Sequence, residues 1–163
     1  MSRSSLSRFT LLFLGALIAA SSYAQPITIS GEVTKSLTLQ PADLKAMPHT
    51  TVTAKDRDGK EHSYAGIPLV DLLKQAGAST GGELRGENLA KYVIVTAADS
   101  YKALFSLPEL DPEFTNRMIL LADSVDGMPL PAEAGPYRII VPDEKKPTRW
   151  IRKVTSIDVR FAK

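Results

Sequence analysis

The sequence predicts an α+β or mainly β domain built from many short strands and a few short helices. Three observations lead there. Apolar and polar residues alternate with period two in several separate stretches, whereas helical spacing is confined to short runs. Strand and helix patterns also fail to alternate regularly, which argues against a doubly wound parallel sheet. No repeat, low-complexity tract or linker rich in Gly, Ser or Pro divides the chain beyond residue 24.

The elements follow in order. From Ile27 to Val33 the alternation reads as a half-buried strand, and Leu37-Thr38-Leu39 continues the pattern. Gln40 to Leu44 starts a short helix, with Pro41 in the first turn where its missing N–H costs nothing, and Pro48 ends it. Thr50 to Ala54 reads as a strand, Asp56-Arg57-Asp58-Gly59 as a hairpin turn with Gly59 at positive φ, and His62 to Tyr64 as the returning strand. Pro68 opens a helix whose Leu69, Leu72, Leu73 and Ala76 share one face, and Gly77 closes it. Ser79 to Gly86 is a polar loop. Tyr92 to Ala97, rich in β-branched residues, is a buried strand, and Tyr101 to Phe105 is its neighbour. Leu107 to Leu110 forms a short helix. Met118 to Ala122 and Tyr137 to Val141 are apolar strands, punctuated by Asp126-Gly127 and by Pro129, Pro131, Pro136 and Pro142. Val154 to Phe161 alternates again.

The chain has 163 residues, 44% of them hydrophobic and 23% charged, which fits one globular domain and excludes a disordered or fibrous protein. Arg3 and Arg8, the apolar run Phe9 to Ala20 and Ser22-Tyr23-Ala24 have the order of a secretory signal peptide over residues 1–24. The run is too short for a stable membrane anchor. Cleavage after Ala24 leaves one domain over 25–163, with 18 basic and 18 acidic side chains. A neutral chain has no clustered charge for nucleic acid and no polybasic segment for a membrane surface. There is no cysteine, so the exported fold has no disulfide, and thiolate nucleophiles, iron–sulfur clusters and thiolate metal sites are excluded.

Glycine-rich phosphate loops, His-Glu-x-x-His and the nucleophile elbow are missing. His49 and His62 would face each other across the Asp58-Gly59 hairpin, but a metal site normally needs a third ligand, and two half-exposed strand histidines fit the pattern better. Asp123 with Asp126, and Glu109 with Asp111 and Glu113, lie beside turn residues and read as solvated loops rather than as an acid–base pair. Asp99-Ser100-Tyr101 sits between two strong strands, where a site is commonly built, and Tyr101 suits either a ligand contact or an aromatic cover for a sheet edge. Lys145, Lys146, Arg149, Arg152 and Lys153 near Trp150 are placed either to receive an anion or to flank a solvated strand, the commoner case.

Tyr64-Ala65-Gly66-Ile67-Pro68-Leu69-Val70-Asp71-Leu72-Leu73, followed by Ala76-Gly77, resembles the aromatic-x-Gly-Val-x-Leu-x-Asp-Leu-Leu segment of the sulfite-oxidase-like molybdopterin-binding domain. Tyr101-Lys102-Ala103-Leu104-Phe105-Ser106-Leu107 is similar to that family's tyrosine-to-Ser-Ile-Pro-Leu stretch. Leu120-Leu121-Ala122, Asp126 to Pro131, Gly135 to Pro142 and Arg149 to Val154 follow in family order, so the resemblance runs from about Thr51 to Val159.

That resemblance implies a compact, mixed, β-rich α+β domain. It places Tyr101 on the family's active-site tyrosine, and assigns Tyr101, Arg138 and Arg149 to cofactor binding, Arg149 standing where the family usually has a lysine. It also puts Ala54 at or near the cysteine that ligates molybdenum in the enzymes, and a methyl group donates nothing to a metal. Exported members carrying cofactor travel folded behind a twin-arginine signal, whereas Ser7-Arg8-Phe9-Thr10-Leu11 has a single arginine. The expectation is therefore a periplasmic, non-catalytic ligand-binding or sensory accessory module with no metal and no cofactor. Its partner is a small ligand or the outer domain of a membrane sensor, with neither nucleic acid nor a membrane anchor involved. The alternative is a molybdopterin-dependent oxidoreductase with a cysteine-free metal site.

Overall fold

A computed structural model describes residues 25–162, so the expected leader and its cleavage point lie outside the described residues. The strands form two sheets. The first contains β1 (Ile27–Gly31), β2 (Leu37–Leu39), β5 (Lys91–Ala97), β6 (Lys102–Ser106) and β10 (Val154–Phe161), in the order β2-β1-β10-β5-β6. Only the β1–β10 pair is parallel, with Ile29 opposite Ile157. The second contains β3 (Thr50–Lys55), β4 (Glu61–Pro68), β7 (Leu120–Val125) and β8 (Met128–Pro129) in sequence order, with β9 (Arg138–Ile140) also paired to β7. Among the described residues three short α-helices, α1 (Pro41–Ala46), α2 (Leu69–Ala76) and α3 (Leu107–Leu110), and three short 3-10 helices connect the strands. The mixed sheets and few helices are those of the expected α+β class. Among the described residues no helix is long and apolar enough to cross a membrane.

The core follows from the alternation. Ile27, Ile29, Val93, Val95, Ile157 and Val159 point inward from the first sheet, and Ile67, Leu121 and Ile139 from one face of the second, whose other face is buried at Leu120 and Ile140. Leu69, Leu72, Leu73 and Ala76 of α2 join them in one continuous buried cluster. Burial of this many aliphatic side chains, each contributing roughly 1.5–3 kcal/mol, holds the fold without a disulfide. Gly77 ends α2 in the left-handed conformation at φ 74°, its N–H donating to the Leu73 and Lys74 carbonyls, as the sequence predicts.

Two elements differ from expectation. Leu37-Thr38-Leu39 does not prolong the first strand: the chain leaves β1 at Gly31, φ 93°, and folds back so that Leu39 pairs antiparallel with Ile27. A Cβ on Gly31 would lie 2.0 Å from the Val159 carbonyl oxygen, so only glycine turns the chain there. The strand beginning near His62 runs on to Pro68, because a bulge between Ala65 and Gly66 lets β4 keep its pairing with β7.

Candidate functional site

The turn between β5 and β6 builds one wall of a small pocket. Ala97 N–H donates to the Tyr101 carbonyl at 2.9 Å, Ser100 takes φ 70°, and the Asp99 carboxylate accepts the Tyr101 N–H at 3.0 Å. Tyr101 therefore leaves the turn in a fixed direction, with its ring half exposed and its hydroxyl donating to the Thr148 carbonyl at 2.9 Å. The segment Thr148 to Arg152 forms the facing wall, and Arg57 reaches in from the β3–β4 turn of the other sheet. The pocket is open to solvent and has a volume of about 230 Å³. Arg57 and Arg152 line it, and neither has a salt-bridge partner among the described residues.

A buried ion pair holds these walls in place. Arg138 donates through its two terminal nitrogens to the two Asp56 oxygens at 2.7 and 3.1 Å, and the Tyr64 hydroxyl adds a third bond to Asp56 at 2.7 Å. The guanidinium lies 5.8 Å from the Tyr64 ring centre and 5.2 Å from that of Trp150, whose indole N–H donates to the Val141 carbonyl. Asp56 precedes Arg57, and the backbone of Arg138 bridges that of Arg152, so the pair positions both pocket arginines. Burial opposes ionisation of Asp56, but Arg138, Tyr64 and the Arg57 N–H outweigh it and hold the carboxyl well below the usual range. Burial, reinforced by the Asp56 charge, pushes the Tyr64 hydroxyl up and keeps it a neutral donor.

The residues singled out in the sequence fall into distinct settings. Tyr101 lines the pocket, whereas Arg138 lies behind it, only 4% exposed. Arg149 is held by Glu144 and Glu109, with its guanidinium 4.7 Å from the Phe105 ring centre. Ala54 is buried in β3 opposite His62. His49 and His62 do not meet across the hairpin. His49 bonds Asp123 at 2.9 Å, while His62 sits between Asp126 at 2.6 Å and Asp58 at 3.0 Å. The acidic residues are not simply solvated either: Glu109 holds Arg149, and buried Asp111 accepts the Gly81 and Glu113 N–H groups. Asp56, Tyr64 and Arg57 escaped the sequence reading as site residues. Asp56 looks like any turn former, and its partner lies 82 positions away.

The donor set does not fit a thiolate-held molybdenum. The chain has no cysteine, and among the described residues no group of three or more His, Asp or Glu is arranged to hold a metal ion. The pterin side of the fit is also poor, because Arg138 and Arg149 are both engaged by carboxylates of this chain. The cavity is smaller than the roughly 300–1,000 Å³ typical of small-molecule sites, and its two guanidinium groups, set against the single Asp99 carboxylate that also lines it, suit a small anion.

Comparison with known proteins places the scaffold. The family model for the oxidoreductase molybdopterin binding domain matches residues 18–162. No curated protein matches the chain. The crystal structure of the sulfane dehydrogenase SoxCD from Paracoccus pantotrophus superposes with a TM-score of 0.67 at 22% identity, over 87% of this chain and 39% of that one. This chain thus spans well under half the length of that structure's chain. The fold, the sequence blocks and the family match agree: the chain belongs to the oxidoreductase molybdopterin-binding domain family.

Proposed function

We propose that this member of the family is an exported, non-catalytic binding module, which takes a small anion between Arg57, Arg152 and Tyr101. The observation that carries the reading is the pairing of two uncompensated guanidinium groups with a chain that has no thiolate to offer a metal. Two arginines around a small cavity recognise an oxyanion by charge and by forked N–H donation. The Tyr101 ring supplies an orienting surface beside them. Delivery to the periplasm, without cofactor and through the single-arginine leader, belongs to this reading, as does presentation of the ligand-bound face to the outer domain of a membrane sensor.

The test combines composition with binding. The full precursor is expressed in a host competent for molybdenum cofactor, and the exported protein is assayed for molybdenum and tungsten by mass spectrometry and for oxidised pterin by fluorescence. Sulfite, sulfate and thiosulfate are then titrated by calorimetry, the sulfane dehydrogenase likeness making sulfur oxyanions the first probes. The module predicts protein free of metal and pterin, an oxyanion that binds, and a loss of roughly tenfold in affinity for Arg57→Ala or Arg152→Ala. Stoichiometric metal with pterin overturns the reading in favour of a molybdopterin-dependent oxidoreductase with a cysteine-free metal site. Metal-free protein that binds none of the anions overturns the pocket assignment.

A further inference from the structure

A second cleft, sharing no lining residue with the Tyr101 pocket, opens beside β7 and the segment that follows it. Its volume of about 700 Å³ falls in the range of small-molecule sites. Pro129, Leu130 and Pro136 give it apolar walls, and its polar side chains are Lys45, Asp123, Tyr137 and Ser124, the last donating its hydroxyl to the Ala65 carbonyl. Tyr137 is only 6% exposed, its ring packed in the core, and its hydroxyl, which makes no hydrogen bond among the described residues, reaches the solvent of the cleft. A phenol hydroxyl at the mouth of a cleft, bonded to nothing else in the protein, is free to donate to a ligand. Here the phenol lines a cleft that a ligand can fill. Lys45 stands at the end of α1, exposed and without a salt-bridge partner among the described residues. Asp123 gives one carboxylate oxygen to His49 at 2.9 Å, and its other oxygen makes no bond among the described residues.

One cation, one anion and a phenol around an apolar wall match a ligand that carries both charges and an apolar group. A simple anion would meet Asp123, and a simple cation would meet Lys45. We propose that this cleft binds a small zwitterion with an apolar side group, an apolar α-amino acid being the simplest form. The ligand carboxylate pairs with Lys45, its ammonium with Asp123, and the Tyr137 hydroxyl closes the polar end while the side group lies on Pro129, Leu130 and Pro136.

The probe is L-phenylalanine, with 3-phenylpropionate and phenethylamine as analogues lacking the ammonium or the carboxylate. Binding to the purified protein is followed by amide chemical shifts, the cleft reporting through Ser124, Gly127 and Gly135. The amino acid should shift these amides at millimolar concentration, and each analogue should bind at least fivefold more weakly. Lys45→Met should weaken L-phenylalanine but leave phenethylamine unchanged. Tyr137→Phe, which keeps the ring and its packing, should weaken the amino acid about two- to tenfold. Asp123→Asn should cost L-phenylalanine more than 3-phenylpropionate. Equal affinity for the three compounds, or no shift of the cleft amides by any of them at 10 mM, overturns the proposal. Neither result bears on the anion pocket, whose test uses other residues and other probes.

Discussion

Replacing Asp56 by Asn tests the organising role of the buried ion pair. The native carboxylate accepts four bonds: two from Arg138, one from Tyr64 and one from the Arg57 N–H at 2.7 Å. Asparagine keeps the shape but removes the charge, and it turns an NH2 group toward at least one of these donors. The Arg138 side chain, 5% exposed, is then left as a buried cation without a counter-charge. Breaking such a pair from one side costs about 3–5 kcal/mol, of which we expect the lower end because Asp56 keeps 16% exposure. For a domain of this length about 3 kcal/mol lowers Tm by roughly 10 °C. The assay is urea unfolding of both proteins across pH. Because folding depresses the Asp56 pKa, its contribution is complete above the unfolded value, near pH 4, and fades as pH falls toward the folded value. The gap between wild type and Asp56→Asn should therefore be full at pH 7 and should narrow below about pH 4. A gap under about 1 kcal/mol at pH 7, or one that stays constant down to pH 3, refutes the reasoning.

Three further outcomes follow from the same geometry. His62 presents both ring nitrogens to carboxylates on two different turns, and its pKa is raised by the bonds to Asp126 and then Asp58. Its contribution is thus full below about pH 6.5 and is lost as pH rises through the folded pKa; His62→Gln should flatten the stability profile between pH 6 and 9, as read by urea midpoints. Gly66→Ala would bring a Cβ to 2.2 Å from the Leu121 carbonyl oxygen and 2.4 Å from the Ala122 Cα, inside a rigid strand pair; we expect a loss of at least 3 kcal/mol or no soluble protein, measured by expression and thermal melting. Tyr101→Phe keeps the ring but removes the exposed bond that ties it to the Thr148 wall of the pocket, so Tm should fall by no more than a few degrees while anion affinity drops as the two walls part, a split that melting and calorimetry together detect.

Much of the fold was legible because period and punctuation are local. The alternation in β1, β5 and β10, and the Pro68-to-Gly77 frame of α2, are visible within ten residues, and each appears where the pattern puts it except that β1 stops at Gly31 instead of running to Val33. The reversal after Gly31 was less legible. Whether a glycine merely interrupts a strand or turns the chain depends on Val159, which approaches from the far end of the sequence. The site divides in the same way. Tyr101 stood out because a polar turn between two strong strands is a local signal, whereas the roles of Asp56, Arg57 and Arg138 arise only when the β3–β4 turn meets β9.

The charge economy of the basic residues is the feature that separates this chain's pocket from a general anion trap. Arg138 and Arg149 sit in the stretches that the family resemblance associates with cofactor, but each guanidinium is already matched by carboxylates from this chain, Asp56 for one and Glu109 with Glu144 for the other. A strong anion drawn to either would have to displace a bond made at 2.7 Å and leave an internal carboxylate unpaired, which costs more than an exposed contact returns. Arg57 and Arg152 have no salt-bridge partner among the described residues, and the one carboxylate lining their pocket, Asp99, is engaged by the Tyr101 N–H. Neutralising Glu109 with Gln should remove the counter-charge from Arg149 Nη1, which keeps its bond to the Leu104 carbonyl, and create new anion affinity at the edge of β6, without altering affinity at the Arg57–Arg152 pocket. If Glu109→Gln instead changes binding at that pocket, the internal pairing of Arg149 is part of the site itself, and the division between structural and ligand-facing arginines fails.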